Sequence, residues 1–258
     1  MKVGIITGSG THTLPGFEPR QAFRADTRHG SVDLTSGVFA GIEVVHLSRH
    51  GAGHERLSSH VEHRANILAL REAGVDAIFA ATVCGAVDRS IELGGMVVFD
   101  DLHFLANRLP DGALCSLYEP GEPGRGHWVF ERPFSEPLRQ CLLRGTPGMR
   151  DGGCYGHVDG PRFNSAAEIR MLAACGVSAV SQTAGPETVL SGEAEIPYAL
   201  IGYATDYANG VKDESTPISE LAELIERSSR SLAGALAGAI GMIGEQPPGQ
   251  VGSHFRFE

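Results

Sequence analysis

Two short apolar runs, residues 177–181 and 198–203, stop abruptly in polar residues. The first ends in Gln182-Thr183 and the second in Thr205-Asp206. Runs of this length and composition read as buried strands. In open α/β sheets, ligands bind outside the carboxyl ends of the strands. A hydroxyl and a carboxylate delivered at two such ends therefore read as two walls of one site. The plainer reading, ordinary loop polarity, loses ground because the pattern recurs. Strand 2–7 runs into Gly8-Ser9-Gly10-Thr11, where glycine lets backbone amides approach an anion and a serine hydroxyl can donate to it. The G-S-G triplet lacks the spacing of a dinucleotide fingerprint or a P-loop lysine.

Residues 31–48 read as a hairpin around Ala40-Gly41, ending in Arg49-His50-Gly51-Ala52-Gly53-His54. Arginine is the residue suited to bidentate phosphate recognition. Strand 75–82 ends in Thr82-Val83-Cys84-Gly85-Ala86, again a hydroxyl beside a glycine-loosened backbone. Strand 96–99 meets Asp100-Asp101; paired acids can be catalytic but are more often a turn or a link to a basic neighbour.

The helical segments have recognisable punctuation. Residues 58–73 carry a Ser58 or Ser59 cap, an apolar face of Val61, Ala65, Leu68 and Ala69, and a stop at Gly74. His60, His63 and Arg64 fall mostly off that face and are expected to be solvated or to face another subunit. A further helix is expected over 136–144. Ser165 and Glu168 have capping-box spacing for a helix ending at Gly176. Thr216-Pro217 is expected to open the last helix, with threonine as cap and proline in the first turn. Residues 106–137 are irregular, rich in Gly and Pro, and hold the sole tryptophan, Trp128. A loop of that length in a compact domain is usually functional or interfacial. No repeat or linker divides the chain, so one domain is expected over 1–245, with 246–258 as a loose tail.

At 258 residues, a formal net charge of −10 argues against a nucleic-acid-binding surface, which would need clustered Lys and Arg. It remains compatible with a small anion held by a local nest of amides. Five scattered cysteines without C-x-x-C spacing point to reduced thiols in a cytoplasmic protein, with neither a disulfide frame nor a zinc site. The chain opens directly into a strand and contains no bilayer-spanning run, so no signal peptide or membrane segment is expected.

Taken together, G-I-I-T-G-S-G (4–10), R-H-G-A-G-H (49–54), R-A-N-I-L-A-L (64–70), T-V-C-G (82–85), D-G-P-R-F (159–163), Q-T-A-G-P-E-T-V-L (182–190) and A-T-D-Y (204–207) resemble the trimeric purine nucleoside phosphorylases. They are most similar to the methylthioadenosine phosphorylase branch, in order and spacing from residue 2 to about residue 240. The resemblance implies a single α/β domain, a twisted mixed sheet flanked by helices, and a homotrimer active in purine salvage. It implies phosphorolysis of a purine nucleoside, with inorganic phosphate as co-substrate and no metal or organic cofactor. Ser9, Arg49, His50, Thr82 and Thr183 match phosphate-binding positions, with Val83 lending backbone. Phe163 matches the aromatic wall for the purine, Asn164 a base-contacting position, and Asp206 the acid facing purine N7 and the exocyclic group. Gln182 stands where the family usually has a ribose-contacting methionine. His127 falls where a neighbouring subunit reaches into the site.

Substrate choice follows from two further comparisons with the family. The start of the last helix has no histidine to hold a 5′-hydroxyl, as the 6-oxopurine enzymes do. Ile218 and Leu221 stand near the apolar lining of the methylthio branch, so a 5′-modified nucleoside, 5′-methylthioadenosine first, is expected. The second acid of adenine-specific members is Ala208 here, which keeps methylthioinosine or another 6-oxopurine nucleoside as the alternative. A non-catalytic nucleoside-binding protein on the same fold is a reading of a different class. A hydrolase is a third, disfavoured because the phosphate-matching side chains would have no anion to bind.

Overall fold

The computed structural model describes residues 1–9 and 14–257; Gly10 and Thr11 of the first glycine turn lie outside them. The strands are β1 (Val3–Thr7), β2 (Glu18–Thr27), β3 (Gly30–Phe39), β4 (Ile42–Ser48), β5 (Ala77–Ala86), β6 (Met96–Val98), β7 (Asp101–His103), β8 (Gly126–Val129), β9 (Arg150–Asp151), β10 (Cys154–His157), β11 (Val177–Ser181), β12 (Tyr198–Tyr207) and β13 (Ser253–Arg256). The helices are α1 (His63–Glu72), α2 (Glu136–Gly145), α3 (Ala166–Ala174), α4 (Ala184–Glu193) and α5 (Ile218–Met242).

Among the described residues, eleven strands form one mixed sheet. Its path is β2-β3-β4-β1-β5-β11-β10-β7, and β12, β6 and β9 branch from the other side of β5. Side chains alternate across a strand, and here each face feeds its own core. Val3, Ile5, Phe79 and Ile201 pack with Leu138 and Leu142 of α2 and Leu232 and Leu236 of α5. Ile6, Ile78, Ala80 and Leu200 pack on the opposite face with Ile67 and Leu70 of α1 and Leu190 of α4. The result is the helix–sheet–helix layering expected of α/β proteins.

The branch at β5 creates the site. β1 pairs with β5 in parallel from Ala77 to Ala80. β11 pairs with the same edge antiparallel, at Gly85 and Ala86. The two strands therefore run toward one another, and their carboxyl ends meet over the stretch of β5 between Ala80 and Gly85. On the other edge β12 runs parallel to β5 throughout. This is the kind of switch point at which α/β sheets bind ligands.

Several expected boundaries moved. β5 continues to Ala86 and β12 to Tyr207, because each is the other's partner along its full length; the polar residues expected in loops beyond 82 and 203 are strand residues. β2 carries mainly polar, exposed residues and pairs with β3, so apolar periodicity gave no sign of it. Helix α1 starts at His63, after a 3₁₀ turn over Ser58–His60 and an extended Val61. His63, expected to be solvated, is buried, because α1 is covered by β2, β3 and α4. In α5, Pro217 takes the cap position and helical residues begin at Ile218. The Thr216 hydroxyl instead accepts from the Tyr207 amide at 3.2 Å, tying the end of β12 to the start of α5.

The capping box at Ser165 and Glu168 forms as expected. Asp100 is a link: it accepts from Arg132 at 3.0 Å and from the Gly153 amide at 2.7 Å. The tail is not loose throughout. Ser253–Arg256 pairs antiparallel with β8, and Trp128 Nε1 donates to the Val251 carbonyl at 2.7 Å. Residues 106–137 are held by side chains from distant elements. Arg64 donates to the Leu114 carbonyl, and Glu193 accepts from the Leu117 amide and the Ser116 hydroxyl.

Candidate active site

A cavity of about 270 Å³ opens over the gap in the β5 edge. Twelve residues singled out from the sequence line it: Ser9, Arg49, His50, Thr82, Val83, Phe163, Asn164, Gln182, Thr183, Asp206, Ala208 and Leu221. They come from seven separate stretches of chain, brought together by the head-to-head ends of β1 and β11 and the parallel ends of β4, β5 and β12.

Arg49 follows the last residue of β4, and its backbone amide donates to the Thr7 carbonyl at the end of β1, 2.9 Å away. Its guanidinium is buried and held at three points. Nε and Nη2 donate to the two Glu187 oxygens at 2.6 and 2.8 Å, and Nη1 donates to the Ala81 carbonyl at 2.7 Å. Burial opposes the Arg49 charge, and Glu187 outweighs it, holding the guanidinium above its ordinary range. Tyr198 donates to the same carboxylate at 2.9 Å. A side chain at Gly8 would meet Arg49 Nη1 at 2.4 Å, so only glycine lets β1 end this close to the cation. A fixed fork of this kind loses little freedom when it meets an anion.

The neighbouring donors are also fixed. Thr82 Oγ1 and Ser181 Oγ lie 3.0 Å apart across the gap. Thr183 sits at the amino end of α4, where backbone amides and the helix dipole favour an anion. The Thr183 and Ala184 amides donate to the buried Tyr155 hydroxyl at 3.4 and 3.1 Å. His50 Nδ1 is 2.8 Å from the Arg56 carbonyl, which can only accept, so Nδ1 carries the proton and Nε2 is free to accept. Burial first, and then Arg49, lowers the His50 pKa to about 4, so the ring is neutral at pH 7. His54 stacks on it at 4.1 Å between centroids.

Asp206 stands on β12 at a bulge between Ala204 and Asp206. A bulge re-aims side chains, and here consecutive residues Thr205 and Asp206 both face the cavity. The Thr205 hydroxyl donates to Asp206 Oδ1 at 3.1 Å. Burial raises the Asp206 pKa, with Thr205 opposing. The carboxyl therefore holds a proton more readily than an exposed aspartate. Among the described residues it is the sole carboxylic acid in the lining. Elsewhere in the lining, Asn209 Nδ2 donates to the Asn164 carbonyl at 2.7 Å.

One residue expected in the lining lies elsewhere, and the residue expected to serve a neighbouring subunit lies outside its own chain's cavity. Ile218 is 85% exposed and does not line the cavity. It begins α5 on an outward first turn, and the apolar lining from this helix is Leu221 and Ile225, one turn apart. His127 is on β8, opposite Phe255 and edge-on to Phe257 at 5.5 Å, away from the cavity of its own chain. Sequence reasoning missed His54, Ser58, Ser181, Asn209 and Ile225 in the lining. It also missed Glu187, whose signal was the single charged residue in the A-G-P-E-T-V-L segment.

A family model for the phosphorylase superfamily matches residues 2–241. The chain belongs to that superfamily. The 6-oxopurine nucleoside phosphorylase of Pyrococcus furiosus is 31% identical over 247 residues, covering 94% of this chain and 93% of its own. The S-methyl-5′-thioadenosine phosphorylase of Mycobacterium tuberculosis is 36% identical over 211 residues, covering 81% and 76%. Among solved structures, the methylthioadenosine phosphorylase of Schistosoma mansoni in complex with adenine superposes with a TM-score of 0.86. It is 27% identical, with 95% of this chain and 92% of that one covered. As a superfamily member the chain is an enzyme, and the single mixed sheet with flanking helices is the architecture its solved relatives share.

Proposed function

We propose that the protein is a purine nucleoside phosphorylase acting on a 5′-modified nucleoside, 5′-methylthioadenosine first. It would release free purine and the 5-modified ribose 1-phosphate. The observation that carries this reading is that Arg49 and Asp206 open on one cavity from opposite sides of β5. Cleaving a purine N-glycosidic bond builds positive charge on the sugar and negative charge on the base. A phosphate beneath the sugar serves as both nucleophile and counter-charge. Arg49, Ser9, Thr82, Thr183 and the neutral His50 hold it, with His50 Nε2 accepting a phosphate proton. Preorganised charge of this kind is usually the largest catalytic contribution. Asp206, biased toward its protonated form, donates to N7 as the base leaves, an acid contribution of roughly 10²–10⁴-fold. Phosphate is a co-substrate, and no metal or organic cofactor is called on.

Leu221 and Ile225 give the 5′ end an apolar lining, which favours methylthio over hydroxyl. The 6-oxopurine alternative rests on a separate observation: Ala208 supplies no second acid, and Asn164 and Asn209 are the side-chain amides besides Gln182 in the lining. Phosphate-dependent base release from methylthioadenosine, methylthioinosine, adenosine and inosine tests both points. Inosine turning over well ahead of both methylthio substrates overturns the 5′ assignment. A nucleoside-binding protein without catalysis is separated by Asp206→Asn, which in an enzyme cuts turnover far more than affinity.

The same reading assigns a cytoplasmic homotrimer, in which His127 of one subunit reaches a neighbour's cavity. The support is a base wall, Phe163, left 59% exposed in the single chain, and five cysteines with no disulfide among them. Sedimentation of the purified protein tests the assembly.

A further inference from the structure

Gln182 follows β11 and lines the cavity, yet its side-chain amide is committed to the protein. Ser58 Oγ donates to Gln182 Oε1 at 2.7 Å, and Gln182 Nε2 donates to the Arg162 carbonyl at 3.1 Å. The Arg162 carbonyl can only accept, which places the amide nitrogen on that side and leaves Oε1 for the Ser58 hydroxyl. Ser58 belongs to the 3₁₀ turn that follows the Arg49–His50 loop, and Arg162 immediately precedes the base wall Phe163. The amide thus bridges the phosphate end and the base end of the cavity.

Gly160 makes room for this bridge. A side chain there would meet Gln182 Oε1 at 2.1 Å and Ser58 Oγ at 2.2 Å. The far side of the loop is anchored separately: Arg162 pairs with Glu168 at 2.7 Å, and Asn209 holds the Asn164 carbonyl. Residues 160–162 have Gln182 as their cavity-side partner.

We propose that Gln182 is a positioning residue that clasps the 160–163 loop to the Ser58 turn, and thereby sets nucleoside affinity by placing Phe163 over the base. The proposal rests on the phosphorolytic reading above. It differs from a direct sugar contact, because the amide oxygen and one amide N–H already bond to protein groups.

Gln182→Met keeps the length of the side chain and removes both hydrogen bonds. Its nucleoside KM is expected to rise about tenfold while the phosphate KM moves less than about twofold, the scale of one to two net hydrogen bonds. Ser58→Ala should raise the nucleoside KM about threefold, and the double variant should be no worse than Gln182→Met alone, because both act through one bridge. Gly160→Ala, which leaves Gln182 in place, should give the same split between the two KM values. The second readout is independent of turnover: trypsin cleavage after the exposed Arg162 should be faster in Gln182→Met than in the wild type. Unchanged nucleoside KM with unchanged cleavage overturns the clasp, as does an equal rise in both KM values. Should the wild type phosphorolyse no purine nucleoside, the functional reading fails by itself. Cleavage after Arg162 then decides the clasp, with faster cut supporting it and equal cut rejecting it.

Discussion

The two ends of the cavity are held in different ways. At the phosphate end Arg49, His50, Thr82 and Thr183 are all buried. Arg49 directly follows β4, Thr82 lies within β5 and Thr183 caps α4. Glu187 with the Ala81 carbonyl fixes Arg49, the Arg56 carbonyl fixes His50, and Ser181 meets Thr82. At the nucleoside end Phe163 stands exposed on a loop, and the lining from α5 comes from a helix whose first residue is in solvent. Strand ends cannot move without breaking a ladder, whereas a loop can move at the loss of a few side-chain hydrogen bonds. The contrast matches the two tasks of the proposed reaction: one end would hold a small, invariant anion, and the other would admit and release a larger, variable molecule.

The sharpest way to break this comparison is at Glu187. Replacing it with alanine leaves the Arg49 charge buried and unpaired, which is expected to cost roughly 3–5 kcal/mol of folding stability. Urea unfolding, read with the phosphate KM, measures it. A loss below about 1 kcal/mol, the worth of an exposed pair, contradicts a rigid phosphate end.

Asp206→Asn should lower kcat by about 10²–10⁴-fold with a much smaller change in nucleoside affinity measured by calorimetry. Because burial raises the Asp206 pKa, the protonated form is present at low pH and is lost as pH rises through the raised value. The pH–rate profile should therefore fall on its alkaline side in the wild type, and Asp206→Asn should remove that limb. A profile that keeps the limb in the variant assigns the proton to another group.

At the 5′ end, Ile225→Ser is expected to weaken discrimination for methylthio over hydroxyl substrates by about 1–3 kcal/mol. Ile218→Ser, exposed and outside the lining, should stay within about 0.5 kcal/mol on both activity and stability. Equal effects at the two positions would mean that the outer turn of α5 also closes on the ligand.

A pH-dependent effect is expected behind the phosphate end. His63 is buried, its ring nitrogens have no hydrogen-bond partner among the described residues, and burial lowers its pKa from 6.5 to about 3. A depressed folded value means that the stability held above pH 6.5 is lost as pH falls toward the folded value, since the unfolded chain takes the proton first. His63→Phe should be more stable than the wild type by up to about 2 kcal/mol at pH 5 and nearly equal to it at pH 8. Chemical denaturation at the two pH values checks the sign.

Much of the fold was legible where apolar periodicity and punctuation agree. β1, β4, β11 and α3 stand where their residues place them, and the Ser165–Glu168 capping box closes as its spacing predicts. The polar β2 and the pairing of the tail with β8 left no such trace, because exposed strands are held by backbone hydrogen bonds that any residue can make. The same limit applied at the site. Ser9, Arg49, Thr82, Thr183 and Asp206 were legible as polar residues closing apolar runs. Glu187, Ser58 and Ile225 were not, because each owes its place to a partner far away in the chain.

The order of residues by itself determined the apolar strands β1, β4 and β11, the Ser165–Glu168 cap and the kinds of polar group that close the apolar runs, since these depend on neighbours within one turn or one pleat. Only the tertiary structure decided that β1 and β11 meet head to head along β5, that Glu187 faces Arg49, and that Gln182 spans the cavity wall. Those outcomes depend on which distant strands pair and in which direction. Pairing direction is set by packing the two faces of the whole sheet, and no local run of residues carries that information.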